Sequence, residues 1–109
     1  MSSECLFCRL AREGDHVRRA DGFVAIRDID PKAPTHLLVI PERHLDSFRE
    51  IGELEPDEAA ALLRFVAATA GEAGLEDYRL VVNVGPGAGQ TVFHLHWHIL
   101  GGRPLGGMA

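Results

Sequence analysis

Histidine and apolar residues alternate near the end of the chain, in the segment VFHLHWHIL at residues 92–100, and this pattern restricts the fold more than any other. Successive side chains of a β-strand point to opposite faces, so the alternation predicts a strand with unlike faces. His94, His96 and His98 would share one face, with neighbours about 7 Å apart. The other face would carry apolar side chains that pack under a helix, namely Leu95, Trp97 and Ile99.

The remainder of the chain is interpreted as four further strands and two helices. The predicted elements are a short helix at 4–13, strands at 17–20, 23–28, 36–41 and 78–84, and a long helix from Pro56 to a stop at Gly74. With the strand at 92–100, this order predicts an α+β domain that has a five-stranded antiparallel sheet, one long helix and one short helix.

Chain length and charge restrict the domain count and the class of partner. At 109 residues we expect a single domain at 1–109, with its core at 5–103 and a short flexible tail at 104–109. Sixteen acidic residues against eleven Lys and Arg argue against a nucleic-acid polymer as ligand, but not against a single nucleotide. The sequence has no apolar run of about 20 residues and no signal-peptide pattern, so we expect a cytoplasmic protein without a membrane partner.

Three interpretations of the histidines are open from the residues alone. They can be solvated side chains of an edge strand, although three in register opposite an apolar face argue against this. A zinc ion can bind two histidines of a strand, but the outer two lie about 13 Å apart, so one ion cannot bind all three. The third interpretation is nucleophilic catalysis, in which a neutral imidazole with a pKa of about 6.5 attacks phosphorus. The Gly-rich segment GPGAGQ at 85–90 would then supply N–H donors to phosphate oxygens.

The two cysteines, Cys5 and Cys8, form a C-x-x-C motif. In a cytosolic protein this spacing indicates half of a metal site or a redox pair rather than a structural disulfide. A thioredoxin-like redox motif follows a strand inside a βαβ unit, whereas this motif precedes every predicted strand. The metal interpretation is therefore favoured, and it requires two more ligands.

The segment HLHWHIL at 94–100 resembles the H-φ-H-φ-H-φ-φ signature of the histidine triad (HIT) superfamily of nucleotide hydrolases and transferases, where φ is apolar. Three other segments resemble the Hint branch of that superfamily: DIDPKAPTHLLVIPERH at 28–44, YRLVVNVG at 78–85 and GGRP at 101–104. The resemblance covers at least residues 5–103. It implies a HIT-like fold and a homodimer, in which two sheets join into a larger one.

The resemblance also implies the roles of individual residues. His96 would be the nucleophile that takes a nucleoside monophosphate as a covalent intermediate, which water then hydrolyses. His98 and His36 would lie beside the α-phosphate. Thr91, where Hint proteins commonly have serine, would donate a proton to the leaving group. The implied nucleotide-binding residues are Asp28 at the ribose hydroxyls, Ile29 at the base, and Asn83, Gly89, Gln90 and Thr91 near the phosphate, together with His96 and His98.

Three of these residues also have a purely structural interpretation. Asp28 can cap a turn that contains Pro31. Asn83 can satisfy backbone groups at a strand end, and Gly89 can be required for a positive φ angle.

A structural Zn²⁺ ion is implied by the same resemblance, with Cys5, Cys8, His44 and His94 as ligands. Two cysteines and two histidines form a complete tetrahedral set, which would tie the N-terminal helix to the sheet. His94 would then be structural, and no metal would be required for catalysis. His16 has no assigned role and is expected at the surface.

The expected function is hydrolysis of a P–N or P–O bond at a nucleoside monophosphate, as in adenosine 5′-phosphoramidate. The expected partner is a purine nucleotide or nucleotidyl conjugate. The alternatives are a dinucleoside polyphosphate hydrolase or nucleotidyl transferase and, in a different class, a non-enzymatic module that binds nucleotide or zinc.

Overall fold

The computed structural model describes residues 5–107. Glu4 of the predicted short helix and residues 108–109 of the predicted tail lie outside the described residues. The chain folds as two α-helices and five strands, with short 3-10 helices at Phe48–Glu53 and Pro86–Ala88. In chain order these are α1 (Leu6–Arg12), β1 (Arg18–Ala20), β2 (Phe23–Arg27), β3 (Thr35–Pro41), α2 (Pro56–Glu72), β4 (Tyr78–Val81) and β5 (Trp97–Gly101).

The five strands form one sheet in the order β1-β2-β3-β5-β4, and every neighbouring pair is antiparallel. β3 and β5 lie at the centre, with Thr35 opposite Gly101 and Val39 opposite Trp97. β1 and β4 form the two edges. The predicted α+β class with a five-stranded antiparallel sheet is confirmed.

Helix α2 begins where the sequence predicts and ends close to its predicted stop. Pro56 occupies the first helical turn, where its missing N–H costs nothing, and the Glu58 carboxylate accepts the backbone N–H of Glu55 at 2.9 Å. Gly74, with φ of +80°, follows the last turn in the left-handed conformation that favours glycine. Within residues 5–107, neither helix has the length and apolar character that crossing a membrane requires.

The two helices cover opposite faces of the sheet. Leu62, Phe65 and Val66 of α2 pack on one face, in a cluster that includes Leu95, Trp97 and Ile99. The predicted packing of that apolar set is therefore confirmed. On the other face, Phe7 and Ala11 of α1 pack against four sheet residues, Val24, Ile26, Leu38 and Ile40.

The predicted strand at 92–100 is wrong in its first half, because β5 begins only at Trp97. Continuing the β3–β5 register would place Leu95 opposite Pro41, which has no N–H to donate to the ladder. The Leu95 N–H instead donates to the Leu45 carbonyl at 2.7 Å. His94 and His96 therefore precede the strand, and the three histidines do not form one row along it. The predicted strand at 78–84 is also too long, because β4 ends at Val81. Val81 pairs with His98, next to the first residue of β5, so residues beyond Val81 have little of the partner strand to pair with.

Candidate active site

Three histidines from the centre of the sheet meet on the face that α1 covers. His36 on β3 lies opposite Leu100, and His98 on β5 lies opposite Leu38. The ring centroids of His36 and His98 are 5.1 Å apart, and those of His96 and His98 are also 5.1 Å apart. Burial lowers the pKa values of His36 and His96 below 6.5, and it lowers the pKa of His98 to about 4. All three imidazoles are therefore neutral at pH 7.

His96 is buried, and one of its ring nitrogens is free. Its Nδ1–H donates to the carbonyl oxygen of His94 at 2.7 Å, and the ring packs edge-on against Phe7 with centroids 5.0 Å apart. Because Nδ1 carries the proton of the neutral ring, Nε2 carries a lone pair. Nε2 makes no hydrogen bond to residues 5–107, and the His96 side chain lines a cavity described below. This is the arrangement that an attacking imidazole requires.

A cavity of about 270 Å³ is lined by α1 and the sheet, and His96 and His98 contribute to its wall, whereas His36 does not. Its other polar lining residues are Arg27, Asp28 and Thr91. Most of its wall is apolar, which suits the flat face of a nucleobase. The apolar lining residues are Leu6, Phe7, Leu10, Ile26, Ile29, Leu38 and Val92.

Asp28 caps a turn, and its side chain also lines the cavity. Its Oδ1 accepts the backbone N–H of Asp30 at 2.8 Å, which closes an Asx turn. Its Oδ2 lies 3.4 Å from Nε2 of His36, and the side chain lines the cavity. Ile29, the next residue, is fully exposed at the rim of the same cavity.

The Gly-rich loop reaches the cavity through Thr91 and is held by two amide side chains. Asn83 donates from Nδ2 to the Ala88 carbonyl at 2.9 Å, and Gly89 has a φ of +93°, so both also have the structural roles considered above. Gln90 is buried. It accepts the Gly85 N–H at 2.8 Å and donates to the carbonyls of Asp46 at 2.7 Å and Val92 at 3.0 Å. The Gln90 amide thus braces the loop, and its predicted contact with a nucleotide stays a prediction.

The predicted metal ligands form one cluster at the N-terminal end of α1. The sulfurs of Cys5 and Cys8 and the Nδ1 atoms of His44 and His94 all lie within 4.8 Å of one another. Cys8 Sγ lies 3.1 Å from His44 Nδ1 and 3.4 Å from His94 Nδ1. The S···N edge of a tetrahedral zinc site is about 3.5 Å, given Zn–S and Zn–N bonds of about 2.3 and 2.0 Å.

Both imidazoles of the cluster form a second hydrogen bond through Nε2, the ring nitrogen that faces away from the cysteines. His94 donates from Nε2 to the Pro41 carbonyl at 2.8 Å, and His44 donates from Nε2 to the Asp46 carboxylate at 2.6 Å. With Nε2 as the donor of each ring, Nδ1 is the atom that faces the cysteines, as in metal sites whose histidines bond to carbonyl or carboxylate groups. Burial raises the pKa of the Cys8 thiol to about 11, so the thiolate form requires a cation. The donor set fits zinc.

A second group of metal-ligand types, Asp28, His36 and His98, does not fit an ion as well. Its donor atoms also lie within 4.8 Å of one another. However, Nδ1 of His36 accepts the backbone N–H of Lys32 at 3.0 Å, so the proton of the neutral ring is on Nε2. That nitrogen has no lone pair to offer a metal.

Comparison with known proteins identifies the family. The HIT domain model matches residues 11–105. This chain belongs to the HIT domain family. The purine nucleoside phosphoramidase of Escherichia coli K12 is 35% identical over 113 residues, which cover 99% of this chain and 95% of that protein. A HIT-like protein of Chlamydia pneumoniae is 47% identical over 90 residues, which cover 82% of each chain.

Solved structures of HIT proteins have the same fold. A HIT family hydrolase from Clostridium thermocellum superposes with a TM-score of 0.87 at 35% identity, covering 96% of both chains. A histidine triad protein from Clostridium difficile superposes with a TM-score of 0.88 at 34% identity, covering 97% of this chain and 96% of that one.

The sequence did not indicate several residues that shape the site in this HIT domain. Leu6, Phe7 and Leu10 line the cavity, and their helical spacing alone marks them only as a buried face of α1. His16, expected at the surface, is half-buried and donates from Nε2 to the Leu10 carbonyl at 2.8 Å, where α1 ends. The Lys32 N–H is a backbone group, for which no sequence signal exists.

Proposed function

We propose that this HIT protein hydrolyses the bond between the phosphorus of a nucleoside monophosphate and an amine, with adenosine 5′-phosphoramidate as the type of substrate. The observation that carries the proposal is the free Nε2 of His96, a buried neutral imidazole whose other nitrogen is fixed by the His94 carbonyl. The relationship to HIT family hydrolases and to the Escherichia coli purine nucleoside phosphoramidase supports both the chemistry and the purine preference.

The proposed reaction has two steps. In the first, Nε2 of His96 forms a bond to phosphorus while the P–N bond breaks; the leaving nitrogen keeps the electron pair and receives a solvent proton that the Thr91 hydroxyl relays. In the second, water attacks phosphorus, the bond to His96 breaks and its electron pair returns to Nε2, and the proton lost by water returns to solvent. The net change is consumption of one water and release of one amine and one nucleoside monophosphate.

The walls of the cavity suggest how the nucleotide is oriented. Leu6, Leu10 and Ile29 would contact the base, and the Asp28 carboxylate would accept the ribose hydroxyls. The phosphate would then lie beside His96 and His98, with His36, Asn83 and Gly89 near it although these three do not line the cavity. Backbone N–H groups of a glycine loop approach phosphate oxygens closely and stabilise their charge in the transition state.

A structural zinc ion bound by Cys5, Cys8, His44 and His94 is a second part of the proposal. Bound zinc supplies a fixed tetrahedral centre that keeps both thiols ionised. The four residues come from α1, the segment after β3 and the segment before β5, so the ion would join α1 to the sheet. It lies outside the reacting atoms, so catalysis requires no metal.

We also propose a cytoplasmic homodimer built on the β4 edge. Tyr78 and Leu80 of β4 are exposed on the face that α2 covers, and Leu63 of α2 is exposed as well. An edge strand with unpaired backbone groups beside apolar side chains suits antiparallel pairing with a second copy.

The test of the proposed activity is hydrolysis of adenosine 5′-phosphoramidate by wild-type protein, His96→Ala and His16→Ala. We expect His96→Ala to lower kcat/KM at least about a thousandfold. His16→Ala removes a histidine outside the cavity, so we expect this variant to retain most of the wild-type kcat/KM. Full turnover by His96→Ala would exclude the nucleophile. A faster reaction with a diadenosine polyphosphate than with the phosphoramidate would favour the dinucleotide hydrolase instead, and binding without turnover would favour a non-enzymatic module.

A further inference from the structure

We propose that the backbone N–H of Lys32 fixes the tautomers of His36 and His98, so that His98 presents an N–H donor to the substrate phosphate. Lys32 is then a positioning residue that acts through its backbone and two imidazoles. The inference rests on the proposed function for its catalytic consequence, but the tautomers themselves are a property of the unliganded protein.

The first step is the hydrogen bond from the Lys32 N–H to Nδ1 of His36, at 3.0 Å. A backbone N–H can only donate, so this ring nitrogen must be the acceptor. His36 is buried and neutral, so its one ring proton is on Nε2. Doubly protonating the ring would place Nδ1–H against the Lys32 N–H, which costs that hydrogen bond.

The second step is the hydrogen bond between the rings of His36 and His98. Nε2 of His36 lies 2.9 Å from Nδ1 of His98, its hydrogen-bond partner, while Asp28 Oδ2 lies farther away, at 3.4 Å. Since His36 Nε2 carries the proton, His98 Nδ1 accepts it, and the proton of the neutral His98 ring is on its own Nε2. This Nε2 belongs to a side chain that lines the cavity, and it makes no hydrogen bond to residues 5–107.

The two neighbouring rings therefore present unlike nitrogens. His96 donates from Nδ1 to the His94 carbonyl and keeps a lone pair on Nε2. His98 accepts at Nδ1 and keeps a proton on Nε2. One ring can attack phosphorus while the other donates to a phosphate oxygen that gains charge, and neither has to change protonation state first.

The loop at 28–34 holds the Lys32 N–H in place. The Asx turn of Asp28 fixes the Asp30 N–H, and Pro31 and Pro34 restrict φ on both sides of Lys32. The Lys32 ammonium group pairs with Asp30 at 2.8 Å, but both side chains are exposed, so this ion pair contributes little. The side chain is thus separable from the backbone donor.

The direct test is ¹⁵N NMR of the histidine rings in wild-type protein at pH 7, by long-range ¹H–¹⁵N correlation. We expect His36 and His98 to be protonated at Nε2 with Nδ1 unprotonated, and His96 to show the reverse pattern. A His98 ring protonated at Nδ1, or an even mixture of its tautomers, would overturn the proposal without reference to any activity.

A pair of variants tests the catalytic consequence. Lys32→Pro removes the N–H donor, whereas Lys32→Ala removes the ammonium group and keeps the donor. We expect Lys32→Ala to retain the His98 tautomer and kcat, and Lys32→Pro to give a mixture of tautomers and lower kcat about 10- to 100-fold with little change in KM. Equal kcat values for two folded variants would contradict the proposal, and if Lys32→Pro does not fold, the wild-type spectrum decides.

Failure of this inference is distinguishable from failure of the proposed function. Wild-type protein with the expected tautomers but no phosphoramidate hydrolysis would refute the activity and leave the tautomer assignment in place. Efficient hydrolysis by a protein whose His98 is protonated at Nδ1 would refute the assignment and leave the activity in place.

Discussion

His94 links the cysteine cluster to His96 through two different groups. Its carbonyl oxygen accepts the Nδ1–H of His96 at 2.7 Å, while its own ring Nδ1 lies 3.4 Å from the sulfur of each cysteine. The residue that orients the proposed nucleophile is thus also a ligand of the proposed zinc ion.

Zinc should be present at about one equivalent in protein purified without chelator. Cys8→Ala removes one ligand, so its zinc content should fall below about a tenth of that value. Chelation of the wild-type protein should lower Tm by roughly 10 °C or more, because the ion joins α1 to the sheet. Atomic absorption measures the zinc content, and thermal unfolding measures Tm.

His16→Ala is the matched control, since it alters a half-buried histidine outside the cluster. Equal zinc content in Cys8→Ala and His16→Ala would argue against the assignment of Cys8 as a ligand.

Leu6→Ala should weaken nucleotide binding more than it slows the chemical step. The side chain lines the apolar part of the cavity and is otherwise exposed, so its loss should leave folding almost unchanged. We expect KM to rise about 3- to 10-fold with kcat within about twofold, the behaviour of a contact made equally in ground and transition states. Arg9→Ala, on an exposed position of the same helix, should leave both parameters unaltered. A fall in kcat for Leu6→Ala at unchanged KM would contradict a contact between Leu6 and the base.

Stability should fall as the pH is lowered from 7, in part because of His98. Its pKa is about 4 in the folded protein against 6.5 for an ordinary histidine, so the unfolded chain binds more protons between these values. The unfolding free energy therefore decreases as pH falls through this window, and His98 accounts for about 2 kcal/mol between pH 7 and pH 4.5. Urea unfolding of wild type and His98→Asn at both pH values isolates the effect, since the other histidines and the carboxylates titrate in both proteins. An identical pH dependence would show that His98 is not responsible.

Gln90→Ala should destabilise the fold much more than Asn83→Ala. Gln90 makes three hydrogen bonds from a buried position, to groups of Gly85, Asp46 and Val92, and its loss leaves these groups unpaired. Of these groups only the Gly85 N–H is fully buried, whereas water can reach the carbonyls of Asp46 and Val92. We expect a loss of about 2–3 kcal/mol, against about 1 kcal/mol for the single bond of Asn83 to Ala88. Chemical denaturation measures both values, and similar losses would contradict the bracing role of Gln90.

The number of strands and the antiparallel class of the sheet could be predicted from the sequence, because alternation, turn residues and helix caps are local signals. The order of the strands in the sheet could not, because it is set by contacts between distant segments, such as the pairing of β3 with β5. The start of β5 could not be predicted either, because it depends on Pro41, which is 53 positions away from His94 and opposite the predicted strand. Residue types indicated the histidines, cysteines and Asp28, whereas tautomers depend on where backbone groups such as the Lys32 N–H and the His94 carbonyl lie in space. Those positions are set by the tertiary fold.

The covalent role of His96 is the central claim, and rapid quench of a single turnover tests it most directly. Wild-type protein mixed with adenosine 5′-phosphoramidate, quenched with base within the first turnover and analysed by peptide mass spectrometry, should carry one adenylyl group on His96, and His96→Asn should carry none. An adenylyl group on another residue, or product formation in the first turnover without any protein-bound nucleotide, would contradict the account.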